Sequence, residues 1–250
     1  MNILLSNDDG YQAPGLDILA RTLSQIATVT VMAPERNRSG SSSALTLESP
    51  IRVFNAGKSR FAVFGTPSDC VHMAVTGLLD IEFDMVVAGI NNGANLGDDV
   101  IYSGTVAAAI EGRHCGYPAI AVSLVGHDEQ NYQTAADITC QIIRQMQGHP
   151  MPADTILNIN VPDVEAKDIK GVCATRLGSR HKAEPVLRAE DPRGNPIYWI
   201  GPPGEAADAG DGTDFDAVAN NYVSVTPLQI DLTRHQYMKD LESWLEGVEV

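Results

Sequence analysis

Three polar loops hold the residues best suited to chemistry. They read Asn7-Asp8-Asp9-Gly10, then Glu35-Arg36-Asn37-Arg38-Ser39-Gly40-Ser41-Ser42-Ser43, then Asn91-Asn92-Gly93-Ala94-Asn95-Leu96-Gly97-Asp98-Asp99, which runs on to Tyr102-Ser103-Gly104-Thr105. Asp8 and Asp9 offer carboxylate oxygens, Ser39 a hydroxyl and Asn91 a side-chain carbonyl, and the loops contain no Cys or His. An all-oxygen set suits a hard cation such as Mg²⁺ or Mn²⁺ and disfavours zinc. Ser103-Gly104-Thr105 precedes the helix-forming run Val106 to Ile110, so a hydroxyl and free backbone N–H groups would face one spot. That is how a helix start receives phosphate. Phosphate beside a hard cation points to phosphoryl hydrolysis driven by positioned charge.

Each loop taken alone has a plainer reading. Asp-Gly after a strand is a turn, the serine run a flexible loop, the Asn/Gly string a series of turns, and Ser103 a helix cap that touches no ligand. Asp98, on the flank of its loop, reads as a turn or cap residue. The six histidines (His72, His114, His127, His149, His181, His235) form no ligand-spaced pair and read as structural or surface residues. There is no Gly-x-x-x-x-Gly-Lys-Ser/Thr, no Gly-x-Gly-x-x-Gly after the first apolar run and no Gly-x-Ser-x-Gly elbow.

The elements needed to bring these loops together are legible in the apolar pattern. Strands are expected at Asn2 to Ser6, Val29 to Ala33, Met85 to Ile90, Ala119 to Leu124 and Ile156 to Val161. Helices are expected from Pro14 to about Ile26, Ser68 to Leu79, Thr105 to His114 and Asn131 to Gln147. Strands alternating with helices imply a parallel, doubly wound sheet in a Rossmann-like three-layer αβα fold. Its ligands bind beyond the carboxyl ends of the strands. Short candidates at Ala44 to Leu47, Ile51 to Phe54 and Phe61 to Phe64 suggest a small antiparallel elaboration. After Pro162 the alternation stops. Gly171 to Arg176 and Tyr222 to Thr226 look strand-like, residues 177 to 214 are rich in Gly, Pro and Asp and suggest protruding hairpins, and an amphipathic helix carries Tyr237, Leu241, Trp244 and Leu245. We read one domain over 1–250, with a core at 1–162 carrying the metal site and an extension at 163–250 for oligomerisation.

With 250 residues, 44% hydrophobic and 20% charged, the chain can bury a full core. A formal net charge of −15 argues against nucleic acid polymers and anionic membranes. The first apolar run is too short for a signal peptide, no run is long enough to span a bilayer, and four dispersed cysteines form no disulfide framework. A cytoplasmic location is expected. The apolar Tyr198-Trp199-Ile200 inside the Gly/Pro/Asp-rich stretch would be covered by a partner subunit, so a homodimer or larger is expected.

At these motifs the sequence resembles the SurE family, the stationary-phase survival proteins, which are metal-dependent nucleotidases. The resemblance runs from Asn7-Asp8-Asp9-Gly10 through Ala33-Pro34-Glu35, Arg38-Ser39-Gly40, Gly65-Thr66-Pro67-Ser68-Asp69-Cys70-Val71 and Gly89-Ile90-Asn91. It continues through Gly97 to Val106, Leu157 to Pro162 and Tyr222 to Leu228. It implies one divalent ion per subunit held by Asp8, Asp9, Ser39 and Asn91, with Asn95, Ser103 and Thr105 around the phosphate. It further implies hydrolysis of 5′- and 3′-nucleoside monophosphates, short polyphosphate as a further substrate, and dimers or tetramers formed through the C-terminal part. Asp8 would orient the attacking water. The alternatives from the residues alone are a nucleotide-binding regulator without turnover and a metal-dependent glycosyltransferase.

Overall fold

The computed structural model describes residues 1–126, 130–152 and 154–248; His127 lies outside them. The first half alternates strand and helix: β1 (Asn2–Ser6), α1 (Pro14–Leu23), β2 (Thr28–Pro34), β3 (Val53–Gly57), β4 (Arg60–Val63), α2 (Pro67–Met73), β5 (Met85–Asn92), α3 (Gly104–His114), β6 (Ala119–Val125), α4 (Tyr132–Gly148) and β7 (Ile156–Pro162). The remainder comprises β8 (Gly171–Ala174), β9 (Ser179–Arg180), β10 (Leu187–Glu190), β11 (Pro196–Trp199), β12 (Ala206–Asp208), α5 (Asp214–Ala219), β13 (Tyr222–Leu228) and α6 (Met238–Leu245).

Nine strands form one sheet in the order β3-β4-β2-β1-β5-β6-β7-β13-β8. The run from β4 to β7 is parallel, while β3 and β13 pair antiparallel to β4 and β7. Alternation along each strand feeds two cores. Ile3 and Leu5 of β1, Val87 of β5 and Ile120, Val122 and Leu124 of β6 face α1 and α4. Leu4, Val86, Ala88, Ala119 and Ala121 face α2 and α3. This is the expected three-layer architecture: each central strand is buried on both faces. No helix among the described residues is long and apolar enough to cross a membrane.

The second core explains how α3 reaches the site. Its Val106, Ala107, Ala108, Ala109 and Gly112 are buried, and a Cβ on Gly112 would lie 2.6 Å from Val86 Cβ. Small residues on α3, opposite Ala88, Ala119 and Ala121, let the helix sit close against the sheet. Its N-terminus is thereby brought to the carboxyl ends of β1 and β5. The connections leaving those two strands part there, with β2 on one side of β1 and β5 on the other, which opens a crevice.

Several expected elements differ. Ala44 to Leu47 is not a strand; Thr46 is instead tied to Asp69 on α2, its N–H and hydroxyl donating to the two carboxylate oxygens at 2.8 and 2.6 Å. The 53–63 segment is only partly an antiparallel elaboration, since β4 joins β2 in parallel. The helix from Pro67 is α-helical only to Met73 and widens into a π-type turn over Ala74–Leu78. Residues 177–214 form a two-tier arm in which β9 pairs with β12 at the base and β10 with β11 further out. Helix α5 has six residues, too few to show a period in the sequence.

Candidate functional site

The turn after β1 presents Asp8 and Asp9. Asn7, fully buried, closes it by accepting from Gly10 N at 3.2 Å and donating to Gly10 O at 3.0 Å. The turn reading and the ligand reading of this loop are thus compatible: the turn is what aims the carboxylates. The loop after β2 is stitched to it through Arg38 N, which donates to Asp8 O at 2.7 Å, and Ser39 N donates to Asn37 Oδ1 at 2.8 Å.

At the end of β5 the register with β6 shifts between Ala88 and Asn91, a β-bulge that re-aims the strand end. Gly89 makes the bulge possible, with φ of +134° and a hypothetical Cβ only 2.4 Å from Val122 O. Asn91 beyond it donates a side-chain amide N–H to Gly93 O at 2.9 Å, which fixes the side chain. Asn92 N donates to Asp9 Oδ2 at 2.9 Å and joins the β5 end to the β1 turn. Asn95 is clamped by β7, where Asn158 and Asn160 donate to its carbonyl at 2.9 and 3.0 Å and Asn160 accepts from its N–H at 2.9 Å. Its side-chain amide donates to Ser123 Oγ at 2.8 Å.

Ser103 is the N-cap of α3, accepting from Val106 N at 3.0 Å. Its hydroxyl proton can still be donated outward, so cap and anion donor are compatible roles. Thr105 is fully buried and its hydroxyl donates to Asp8 Oδ1 at 2.5 Å. Asp8 itself is only 3% exposed. Burial pushes its carboxyl above the ordinary range, a shift partly opposed by the Thr105 hydroxyl and by backbone donors including Gly104.

Several of these residues line a cleft of about 750 Å³. Five of the seven residues singled out from sequence border it: Asp8, Ser39, Asn91, Asn95 and Ser103. Two do not. Asp9 faces a smaller neighbouring hollow with Asn37, Asn92 and Tyr132, and Thr105 sits behind Asp8. The cleft also has walls that sequence reasoning did not find: Tyr102, Asp99, and Ala183, Ile200, Gly201 and Pro203 from the arm. The sequence signal for this wall is the apolar Tyr198-Trp199-Ile200 run in a polar stretch, which by itself suggests only subunit contact.

The arm is fixed over the cleft by charge. Arg180 Nε lies 2.9 and 2.8 Å from the two Asp99 carboxylate oxygens, and Nη2 lies 2.6 Å from Asp99 Oδ2. The guanidinium stacks 5.0 Å from the Phe215 ring centroid. Asp98 accepts from Arg180 N at 2.7 Å, so it anchors the arm and is more than a turn residue. Asp214, fully buried, accepts from Gly97 N at 2.7 Å and Gly178 N at 2.8 Å, which ties the phosphate-side loop to the arm base.

The residues present fit a cation. Asp8 is a buried carboxylate for which the described residues supply no Lys or Arg ion pair, and burial raises its pKa. Ser41 Oγ, against Gly104, is buried without a hydrogen-bond partner. Carboxylate, hydroxyl and amide oxygens make a hard donor set.

The chain matches the family described as Survival protein SurE over residues 3–184. It is 60% identical over 247 residues to the 5′-nucleotidase SurE of Methylococcus capsulatus, covering 99% of this chain and 98% of the relative. It is also 60% identical over 248 residues to the 5′-nucleotidase SurE of Alkalilimnicola ehrlichii, covering 99% and 96%. The crystal structure of the SurE protein from Aquifex aeolicus superposes with a TM-score of 0.87 at 41% identity, covering 98% of this chain and 99% of that one. By sequence along nearly its whole length and by fold, the chain belongs to the SurE family.

Proposed function

We propose that the protein is a metal-dependent nucleotidase that hydrolyses nucleoside monophosphates to nucleoside and phosphate. The observation that carries this is the convergence of Asp8, Ser39, Asn91, Asn95 and Ser103 on one cleft at the N-terminus of α3, in a chain whose 60%-identical relatives are named 5′-nucleotidases. The cleft has two ends of different chemistry. Its floor is carboxylate, amide and hydroxyl; its outer wall includes Tyr102, Ala183, Ile200 and Pro203. A phosphate on the floor with a nucleoside against the wall uses both, and the volume is in the range of small-molecule sites, ~300–1,000 Å³.

Asp8, Ser39 and Asn91 on the cleft, with Asp9 from the adjoining hollow, are the residues that would hold the ion, Mg²⁺ or Mn²⁺ by their hardness. When bound, it supplies Lewis-acid stabilisation of charge on the phosphoryl oxygens. Thr105 holds Asp8 in one orientation. Asp8 orients the water whose oxygen bonds to phosphorus as the ester P–O bond breaks, and the nucleoside leaves with its hydroxyl oxygen. Ser103, Asn95 and the free N–H groups of α3 face the phosphoryl oxygens.

Release of inorganic phosphate from AMP and GMP is the direct test. Turnover is expected to be abolished by EDTA and restored by Mn²⁺ or Mg²⁺. Tight nucleotide binding with no phosphate release would support the regulator reading, and transfer of sugar from a nucleotide sugar the glycosyltransferase reading. Including 3′-AMP and tripolyphosphate in the panel measures the breadth that the family resemblance implies.

The division of labour between residues 1–162 and 163–250 is part of the same proposal. On the arm Leu187, Tyr198, Trp199 and Ile200 are exposed, and α6 buries none of its residues although Met238, Trp244 and Leu245 are apolar. Such surface favours self-association into a homodimer or homotetramer. Light scattering at micromolar concentration is expected to give a multiple of the monomer mass, and deletion of residues 230–250 to lower it. A monomer, or a mass per subunit count unchanged by the deletion, would remove this part.

A further inference from the structure

The far end of α3 gathers a second set of donor atoms. A ring nitrogen of His72 on α2, a carboxylate oxygen of Glu111 and the Sγ of Cys115 all lie within 4.8 Å of one another. His72 Nδ1 is 2.7 Å from Glu111 Oε1, and the Cys115 thiol donates to that same oxygen at 3.6 Å. Glu111 and Cys115 are four residues apart, so they share one face of α3 and its end, and the packing of α2 on α3 brings His72 to that face. The positions are about 10 to 16 Å along the helix axis from Gly104 at 1.5 Å per residue, and none of the three lines the cleft.

The donor chemistry differs from that of the Asp8 site. Sulfur, imidazole nitrogen and one carboxylate form a borderline-soft set, which selects Zn²⁺ over Mg²⁺. Glu111 is nearly buried, whereas His72 is half exposed and Cys115 partly so, which leaves room for water as a fourth ligand. A surface His–Glu pair would account for two of the residues but not for a thiol turned onto the same carboxylate oxygen.

We propose that His72, Glu111 and Cys115 form a zinc-type divalent-cation site that clamps α2 to α3, separate from the catalytic cleft. Binding forms a bond from the metal to Cys115 Sγ and releases the thiol proton to solvent, with no change of oxidation state. Binding through His72 Nδ1 requires the Nε2–H tautomer of the imidazole. The clamp joins α2, whose Asp69 holds Thr46 and Thr66, to α3, whose other end holds Asp8 through Thr105.

The test uses the full chain, freed of metal with EDTA, dialysed and titrated with Co²⁺. A thiolate-to-Co²⁺ charge-transfer band reports this site alone, because the Asp8 set contains no sulfur. The band is expected in wild type, Asp8→Asn and Cys173→Ser, and its loss in Cys115→Ser. In His72→Ala, Co²⁺ binding is expected to weaken by more than about tenfold, the lower bound for changes even to groups behind the ligands. Zn²⁺ should bleach the band and raise the melting temperature of wild type more than that of Cys115→Ser, with circular dichroism confirming that each variant is folded. No band in wild type, a band that survives Cys115→Ser, or unchanged binding in His72→Ala would overturn the site. Loss of the band in Asp8→Asn would assign the metal to the cleft instead.

Discussion

Asp8→Asn is expected to lower turnover by more than about 10³-fold, while the metal-free protein becomes more stable to heat. The activity loss should exceed the ~10²- to 10³-fold that removing one neutral oxyanion donor costs, because Asp8 is assigned both to holding the cation and to orienting water. The stability gain follows from burial. Asp8 is 3% exposed and its folded pKa lies above the 3.8 of an ordinary aspartate. Between those two values the folded state holds a proton that the unfolded state has released. Without metal, stability therefore falls as pH rises through that window and stays lower above it. Asparagine keeps the shape and never charges. Thr105→Val extends the test: it removes the hydroxyl that opposes the upward shift, so the stability loss should reach to higher pH, and Thr105→Ser should restore it. The measurements are phosphate release with saturating Mn²⁺ and melting temperature against pH in EDTA. A folded Asp8→Asn with near-normal turnover would place the chemistry elsewhere on the chain.

Gly104→Ala is expected to remove most activity even though it improves the helix. Alanine is favoured over glycine in a helix interior by about 1 kcal/mol. At this position, however, the new Cβ would lie 2.7 Å from Asp8 Cβ, 2.8 Å from Asp8 Oδ2 and 2.8 Å from Ser41 Oγ. Asp8 has little room to retreat, being buried and pinned by Thr105 at 2.5 Å. The carboxylate or the helix start must shift by a sizeable part of an ångström, and displacement by about 1 Å can cost ~10²-fold in rate. Gly112→Ala is the matched control. Its Cβ would meet Val86 Cβ at 2.6 Å, an overpacking that should cost roughly 1–3 kcal/mol of stability. Two helical turns from the cleft, it should leave turnover per folded molecule nearly unchanged. Full turnover in Gly104→Ala would show that the contact between α3 and Asp8 is not needed.

The alternating strands and helices were legible because each central strand is buried on both faces and each flanking helix on one, and those burial patterns have periods visible along the chain. Strand direction then followed from the connections, and the edge where the polar loops meet followed from strand direction. That is why the sequence alone puts Asp8, Ser39, Asn91, Asn95 and Ser103 at one crevice, with the family motifs supplying their roles. Where the apolar period was short or absent, the reading thinned. Ala44 to Leu47 has strand-like composition but no partner strand among the described residues, and is held by Asp69 instead.

Tertiary structure alone decided which neighbours meet across long stretches of chain. Thr105 could be read as a phosphate donor, yet its hydroxyl is turned to Asp8, 97 positions away. Asp99 joins Arg180 across 81 positions and sets the arm beside the cleft, so that Ile200 and Pro203 become part of its wall. His72 meets Glu111 across 39 positions because α2 packs on α3. Periodicity along a chain records that a face is buried or wet; it carries no record of the distance, angle and register at which two elements pack. Contacts between side chains separated by many tens of residues depend on those three quantities, and they are set only when the whole core closes.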